Sequence, residues 1–421
     1  AAPGITPPTD DQWGFLKVPG SWNSRHWSWR GKVYWHTDDL ARTRSHTLRF
    51  GWFERELTVP EAWDGRRILV QLDRVSTDAR VYCDGVEAGS TGYMGGTVEV
   101  TRFARPGQPL KLAILVQARD SWDILPGLLT KPSKSWQAML PVMGIAGDVF
   151  LVSEPREGSA RLGRCRIVTT AAEKTIWVAS ELLSPADGAM PAGLSIRCEV
   201  RDGEAVVKRF EARVAAGAAI AECATDWPEA TLWEIGNSKL YTLHVALIQS
   251  GRVIDEVLPE RFGFREFEIR GKFFYLNGIK LNLVPSSYCG FKLGWATKDA
   301  MRHWVTGALE AGYNFVYLGE TDRPGKPEVA SHLLEVCDEL GMLCAVSPLG
   351  IGHSVYRRMD KPETWDRWTP VVRERVRKDW NHPSLVLWRM NMNLNCYRQD
   401  QNPLVLDGEM TFEPESSSAI K

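Results

Sequence analysis

In the last third of the chain, carboxylates, a histidine and aromatic rings stand in or just after a series of short apolar runs. Glu320 follows Phe315–Leu318, His353 follows Leu343–Val346 in a loop with Gly350 and Gly352, and Asp407 and Glu409 follow Leu404–Leu406. Tyr317 and Trp388 lie inside two of these runs, and Met392 and Asn393 come shortly after Trp388. Carboxyl groups gathered in one cleft can share out the roles of acid, base and nucleophile. An aromatic face offers a stacking platform to an apolar ligand surface. Each residue also has a plainer reading: Glu320 as a solvated loop acid, His353 as a surface histidine, Trp388 as core packing. Asp338-Glu339 and the basic run Arg373–Lys378 read as solvated helix faces.

No metal or cofactor chemistry is expected. The eight cysteines include no CxxC pair and no Cys/His cluster with zinc spacing. They read mostly as free, buried thiols. Cys165, Cys198 and Cys223 fall in one stretch of β-like sequence, which leaves room for one bridge there. The 18 tryptophans suit sugar stacking, but tryptophan is first of all a core residue, so most are read as packing.

The elements that would position these groups come in three blocks. Residues 1–155 carry short alternating runs, such as Ile68-Val70-Leu72, Ala79-Val81-Cys83 and Leu112-Ile114-Val116, separated by Gly, Pro and Asp turns. This predicts a sandwich of the jelly-roll kind. Residues 156–266 alternate around Thr175–Leu182, Gly193–Val200 and Leu240–Ile248, which predicts an immunoglobulin-like sandwich. From 267 to 421, strand and helix signals alternate. Strands are predicted at Leu281–Pro285, Phe315–Leu318, Leu343–Val346, Leu385–Trp388 and Leu404–Leu406. Amphipathic helices lie between them, one beginning after Thr297 and one spanning Glu363–Asp379. The fold class is multidomain β plus α/β, ending in the first part of a TIM (β/α)8 barrel.

A chain of 421 residues is too long for one core. Its net charge of −1 provides no basic field for nucleic acid. No apolar run reaches the roughly 18 residues of a membrane helix. Ala1-Ala2-Pro3-Gly4 fits a mature end left by signal cleavage or a boundary of the chain, and the reading leans toward a secreted or periplasmic protein. Five strands do not close an eight-stranded barrel. The expectation is therefore a piece of a longer protein, or a partner that completes the sheet.

All three blocks resemble glycoside hydrolase family 2, the group of β-galactosidases, β-glucuronidases and β-mannosidases. Val18-Pro19-Gly20-Ser21-Trp22 is similar to its VPGxW, Gly51–Leu57 to its WYRREF strand, Val81–Gly89 to its VNGxxVG hairpin and Gly144–Val149 to its GIxRDV. Leu232-Trp233 with Leu240–Leu243 resembles LWxPxxPxLYxL. Arg261-Phe262-Gly263-Phe264-Arg265 resembles RFGFR, and Phe274–Gly278 resembles FxLNG. Ala311–Val316 resembles AGFNAVR, Cys337–Leu343 resembles CDELGLLV, and Asn381–Trp388 is nearly NHPSVVIW.

The resemblance implies hydrolysis of β-linked glycans by two carboxyl groups about 5 Å apart at the C-terminal ends of barrel strands. It also implies an oligo- or polysaccharide ligand and, by analogy, self-association into a homo-oligomer. In the family the acid/base Glu follows the fourth strand in WSLGNE, and the nucleophile comes from the seventh. Here that stretch reads Trp388-Arg389-Met390-Asn391-Met392-Asn393, so Asn393 stands at the acid/base position and Met392 at the family's Asn. An amide has no proton to deliver as a general acid. Tyr317 stands at a family Arg, Gly319–Asp322 replaces SHYP, Pro285–Tyr288 lies near the usual NRHE, and Ser347–Leu349 replaces an acidic DE. Two readings follow: a divergent hydrolase using other carboxylates, with Glu320 and Glu409 the candidates, or a carbohydrate-binding pseudoenzyme. In both, Trp388, Tyr317, Met392, His353 and Asp407 are the ligand-facing candidates.

Overall fold

Alternation of apolar and polar residues builds the first two layers. The computed structural model describes residues 18–19, 49–92, 95–119, 144–145, 147–156, 159–185, 188, 190–288, 298–318, 327–346 and 362–388. The first nine strands are β1 (Phe50–Thr58), β2 (Arg67–Leu72), β3 (Val75–Ser76), β4 (Asp78–Cys83), β5 (Val86–Thr91), β6 (Gly96–Glu99), β7 (Pro109–Gln117), β8 (Gly144–Ile145) and β9 (Val149–Glu154). They pair as a β1-β7-β4-β5 sheet, a β6-β2-β9 sheet and a short β3-β8 pair. Val81, Cys83, Ile114 and Val116 of one large sheet meet Ile68, Val70, Leu72 and Val98 of the other in a single core. Asp84 and Gly85 close the β4–β5 hairpin, both at positive φ, +49° and +82°.

A second sandwich follows. Strands β10 (Arg161–Thr170), β11 (Thr175–Leu183) and β14 (Ile220–Asp226) form one layer. Strands β12 (Leu194–Asp202), β13 (Ala205–Arg213), β15 (Tyr241–Gln249), β16 (Arg252–Glu256) and β17 (Glu260–Phe262) form the other. Phe262 and Phe264 enter this core beside Trp227 and Tyr241. Gly263 sits between them against Trp233, where a Cβ would come within 2.8 Å of the indole. The alternation of the 261–265 segment thus turns its two phenylalanines into one core and its glycine against a buried ring.

A small antiparallel unit leads out of the sandwich: β18 (Phe267–Arg270), β19 (Phe273–Leu276) and β20 (Ile279–Leu281). Its register puts Phe267, Ile269, Phe274, Leu276, Ile279 and Leu281 on one face. Four parallel strands follow in sequential order: β21 (Pro285–Tyr288), β22 (Phe315–Leu318), β23 (Leu343–Val346) and β24 (Leu385–Trp388). They alternate with helices α1 (Lys298–Glu310), α2 (Pro327–Leu340) and α3 (Pro362–Asp379).

The strand expected at Leu281–Pro285 therefore forms three to four residues later, and Leu281 ends the preceding hairpin instead. The cause is a long-range strap. Asn314 accepts a hydrogen bond from Val284 N (2.7 Å) and donates to Asn282 O (2.9 Å), which fixes the crossing segment before β21. The strand expected at Leu404–Leu406 lies outside the described residues.

Both faces of the parallel sheet are apolar, as a strand covered on two sides requires. Val316, Cys344, Val346 and Leu385 pack with Met301, Val305 and Leu333 of the helices. Phe315, Leu343 and Ala345 pack on the opposite face with Trp233, Phe267, Leu281 and Leu283.

Candidate functional site

Because the four strands are parallel, β22, β23 and β24 all finish at one edge of the sheet, at Leu318, Val346 and Trp388. Of the eight candidate residues read from the sequence, Tyr317 and Trp388 are described. Glu320, His353, Met392, Asn393, Asp407 and Glu409 lie outside the described residues. Tyr317 packs on the face away from the helices, with Phe315, Ala345 and Leu387. Trp388 packs on the helix side, paired in register with Val346. The two aromatic candidates thus occupy opposite faces. A register shift in the β23–β24 ladder makes the difference: Cys344 pairs with Leu385 but Ala345 with Leu387, so Val386 is skipped.

The opposite end of β24 is held by a dense polar clamp. Asp338, on α2, accepts from Ser384 N (3.1 Å) and Ser384 Oγ (2.5 Å) through one oxygen and meets His382 Nδ1 (2.5 Å) through the other. The backbone carbonyl of Asp338 accepts from Trp233 Nε1 (2.8 Å). Arg265 donates to Pro383 O (2.9 Å) and Leu385 O (3.1 Å). Burial pulls the Arg265 pKa down to about 10, against the opposing charge of Asp338. Asn381 accepts from Ile167 N (3.0 Å) and donates to Cys165 O (3.0 Å) and Glu260 Oε2 (3.3 Å), while Trp380 Nε1 donates to Cys165 O (2.9 Å). Burial lowers the pKa of His382, but the carboxylates of Asp338, Asp379 and Glu335 and the hydrogen bond to Asp338 outweigh it and hold it above the usual value. Burial raises the Glu260 carboxyl, and the Asn381 hydrogen bond only partly offsets this.

This clamp overturns one sequence reading. Asp338 is not a solvated helix acid; it is 2 % exposed and fully engaged. Glu339 pairs with Arg261 and Arg302. Nor is the Arg373–Lys378 run simply a solvated face. Arg375, 1 % exposed, pairs with Asp379 at 2.5 Å, and Arg74 of the first sandwich approaches the same carboxylate at 3.6 Å. Burial raises the Asp379 pKa, but these two guanidinium groups outweigh it and keep the carboxyl below its ordinary range. Lys378 donates to Asp73 O (2.7 Å), and Arg377 and Glu374 reach Glu181 and Arg164 of the second sandwich. Charge runs look solvated in one dimension; here α3 docks on both sandwiches. The signal that could have revealed the clamp is the strong match at Asn381–Ser384, whose polar residues had no part in the expected chemistry.

A surface recess of about 480 Å³ lies on the first sandwich, lined by Trp63, Arg66, Arg67, Glu99 and Arg156 among others, and not at the parallel sheet. Arg67 there is bound by Glu99 and Glu154, and Arg66 by Ser153 and Asp255, so it reads as an ion-paired seam. Among the described residues, no group of three or more His, Cys, Asp or Glu side chains is placed to hold a metal ion.

Residues 164–265, the second sandwich with its Arg265 clamp, match the family described as Glycosyl hydrolases family 2. A putative β-glucuronidase of Formosa agariphila is 26% identical over 405 residues, covering 90% of this chain and 43% of that protein. Over residues 164–265 the chain carries the pattern of that family, and its likeness to β-glucuronidases extends over most of its length. A β-galactosidase of Thermoanaerobacterium thermosulfurigenes is 31% identical over 173 residues, covering 38% of this chain and 21% of that protein. A similar fold is seen in the β-glucuronidase of Ruminococcus gnavus in complex with D-glucuronic acid. That structure superimposes with a TM-score of 0.60 at 19% identity, over 89% of this chain and 61% of that one. The chain thus spans less than two thirds of these relatives' length.

Proposed function

We propose that this chain carries the front portion of a divergent family 2 glycosidase that binds β-linked glycans at the C-terminal edge of its parallel sheet. In this reading, residues 1–155 form a jelly-roll domain and residues 156–266 an immunoglobulin-like sandwich. Residues 267–421 begin a (β/α)8 barrel, completed by further chain or by a partner. The observation that carries it is the set of four sequential parallel strands, clamped at one end to the second sandwich and all finishing at the other. A sheet so held presents its loops to ligand from one edge, where barrel enzymes keep their chemistry.

In this reading Tyr317, near the end of β22, faces the ligand, with His353, Met392 and Asp407 as its proposed partners there. Asn393 stands at the family's proton-donor position and binds without donating, so hydrolysis draws on other carboxylates, with Glu320 and Glu409 in those roles. Trp388, packed on the helix side, supports the strand from behind. The amide at 393 favours a second reading, a glycan binder without turnover.

Hydrolysis of aryl β-glucuronides and β-galactosides, followed alongside equilibrium binding of the same sugars, separates the two readings. Turnover that falls at least tenfold in Glu320→Gln or Glu409→Gln supports the hydrolase. Binding without turnover, with turnover appearing in Asn393→Glu, supports the binder. Neither binding nor turnover with any β-glycoside removes both.

A further inference from the structure

Three of the six free thiols among the described residues, Cys165, Cys198 and Cys223, lie in the core of the second sandwich. Cys198 lies in the middle of β12, between Phe210 and Val245 of the neighbouring strands. Cys223 lies in the middle of β14, beside Val178. The two strands belong to opposite layers and pack against each other. Both thiols are buried in the same core, with 0% and 3% exposure, and each is the neighbour that most perturbs the other's ionisation, as side chains that face each other across the two layers would do. Apolar side chains surround them, and neither sulfur takes part in the clamp or the candidate site.

We infer that Cys198 and Cys223 form a disulfide that joins the two layers of the second sandwich when the chain folds under oxidising conditions. A disulfide needs sulfurs already in contact and Cβ atoms about 4 Å apart, a demand met only by side chains aimed at each other. Cys165 is a poor competitor for Cys223. It sits on β10, with β11 between, so the two backbones are about 10 Å apart in the sheet. Its register partner is Ser180, whereas that of Cys223 is Val178.

The oxidant is a low-molecular-weight disulfide. While the layers are still parted, one protein thiolate attacks it and expels the first small thiolate; the second protein thiolate then attacks the mixed disulfide and expels the other. Two protein thiols lose two electrons and two protons, and one small disulfide becomes two small thiols.

The test is to refold the chain in a mixture of a small thiol and its disulfide, then map its peptides by mass spectrometry without reduction. The expected result is a single linked pair through Cys198 and Cys223, with the intact chain lighter by two hydrogens. Phosphine reduction should lower the melting temperature of the bridged chain by roughly 10 °C, and Cys223→Ala should abolish that difference. If both cysteines are fully alkylated after denaturation of the oxidised chain, or if the link runs through Cys165, the inference is wrong. Mapping the unmutated chain decides this even if the variant fails to fold.

Discussion

Replacing Asp338 by alanine removes the acceptor that serves His382 Nδ1, Ser384 N and Ser384 Oγ at once. The carboxylate is 2 % exposed, so water does not take over its contacts. Removing one partner of a buried charged pair costs about 3–5 kcal/mol, and a single buried donor left unmatched costs about 1–3 kcal/mol. These terms overlap, because His382 belongs to both, so a loss of about 4 kcal/mol is expected for the part of the chain that includes β24. The loss also depends on pH. The pKa of His382 is raised in the folded state, so the stability it contributes is complete below its unfolded pKa of about 6.5. That stability fades as pH rises through the folded value. Urea unfolding followed by tryptophan fluorescence should therefore show a larger gap between Asp338→Ala and the unmutated chain at about pH 5.5 than at about pH 8.5. A gap under about 1 kcal/mol at the lower pH, or one that does not change with pH, would refute the clamp as described.

Other outcomes follow from the same contacts. Gly263→Ala puts a methyl group 2.8 Å from the indole of fully buried Trp233, and a destabilisation of about 1–3 kcal/mol in thermal melts is expected; an unchanged melting temperature contradicts the close packing. Burial pushes the Asp255 carboxyl up to about 6, so the folded chain binds a proton that the unfolded chain releases near pH 4. Stability at this group therefore rises as pH falls from about 6 to about 4, and Asp255→Asn should flatten that slope; an unaltered slope rules the group out. Asn314→Ala loses both bonds of the strap before β21, at a cost of about 1–3 kcal/mol by denaturant titration, and Asn314→Asp should recover part of it by keeping the acceptor for Val284 N.

Local patterns carried much of the architecture. Ala79, Val81 and Cys83 are buried while Arg80 is exposed, as the period of two requires, and α2 stops directly before Gly341. What the sequence hid depends on distant contacts. Ile279 and Leu281 continue an apolar alternation that looks like a first parallel strand. Only Asn314, some thirty residues on, decides that the chain crosses over before pairing. Asp338 and Arg375 sit in charged stretches that read as solvated, because the surfaces that bury them belong to other parts of the chain. The faces of Tyr317 and Trp388 were separated by a skipped pairing at Val386, which no residue type announces. For the site itself, the sequence supplied the strand ends and the amide at 393, and the structure adds the clamp that fixes one of those strands.

The measurement that bears most directly on the account is a crystal structure of the chain soaked with a β-linked glycoside such as an aryl β-glucuronide. Sugar density at the sheet edge formed by Leu318, Val346 and Trp388, with Tyr317 among the contacts, is the predicted result. Sugar bound only elsewhere, with that edge closed by side chains, would contradict it.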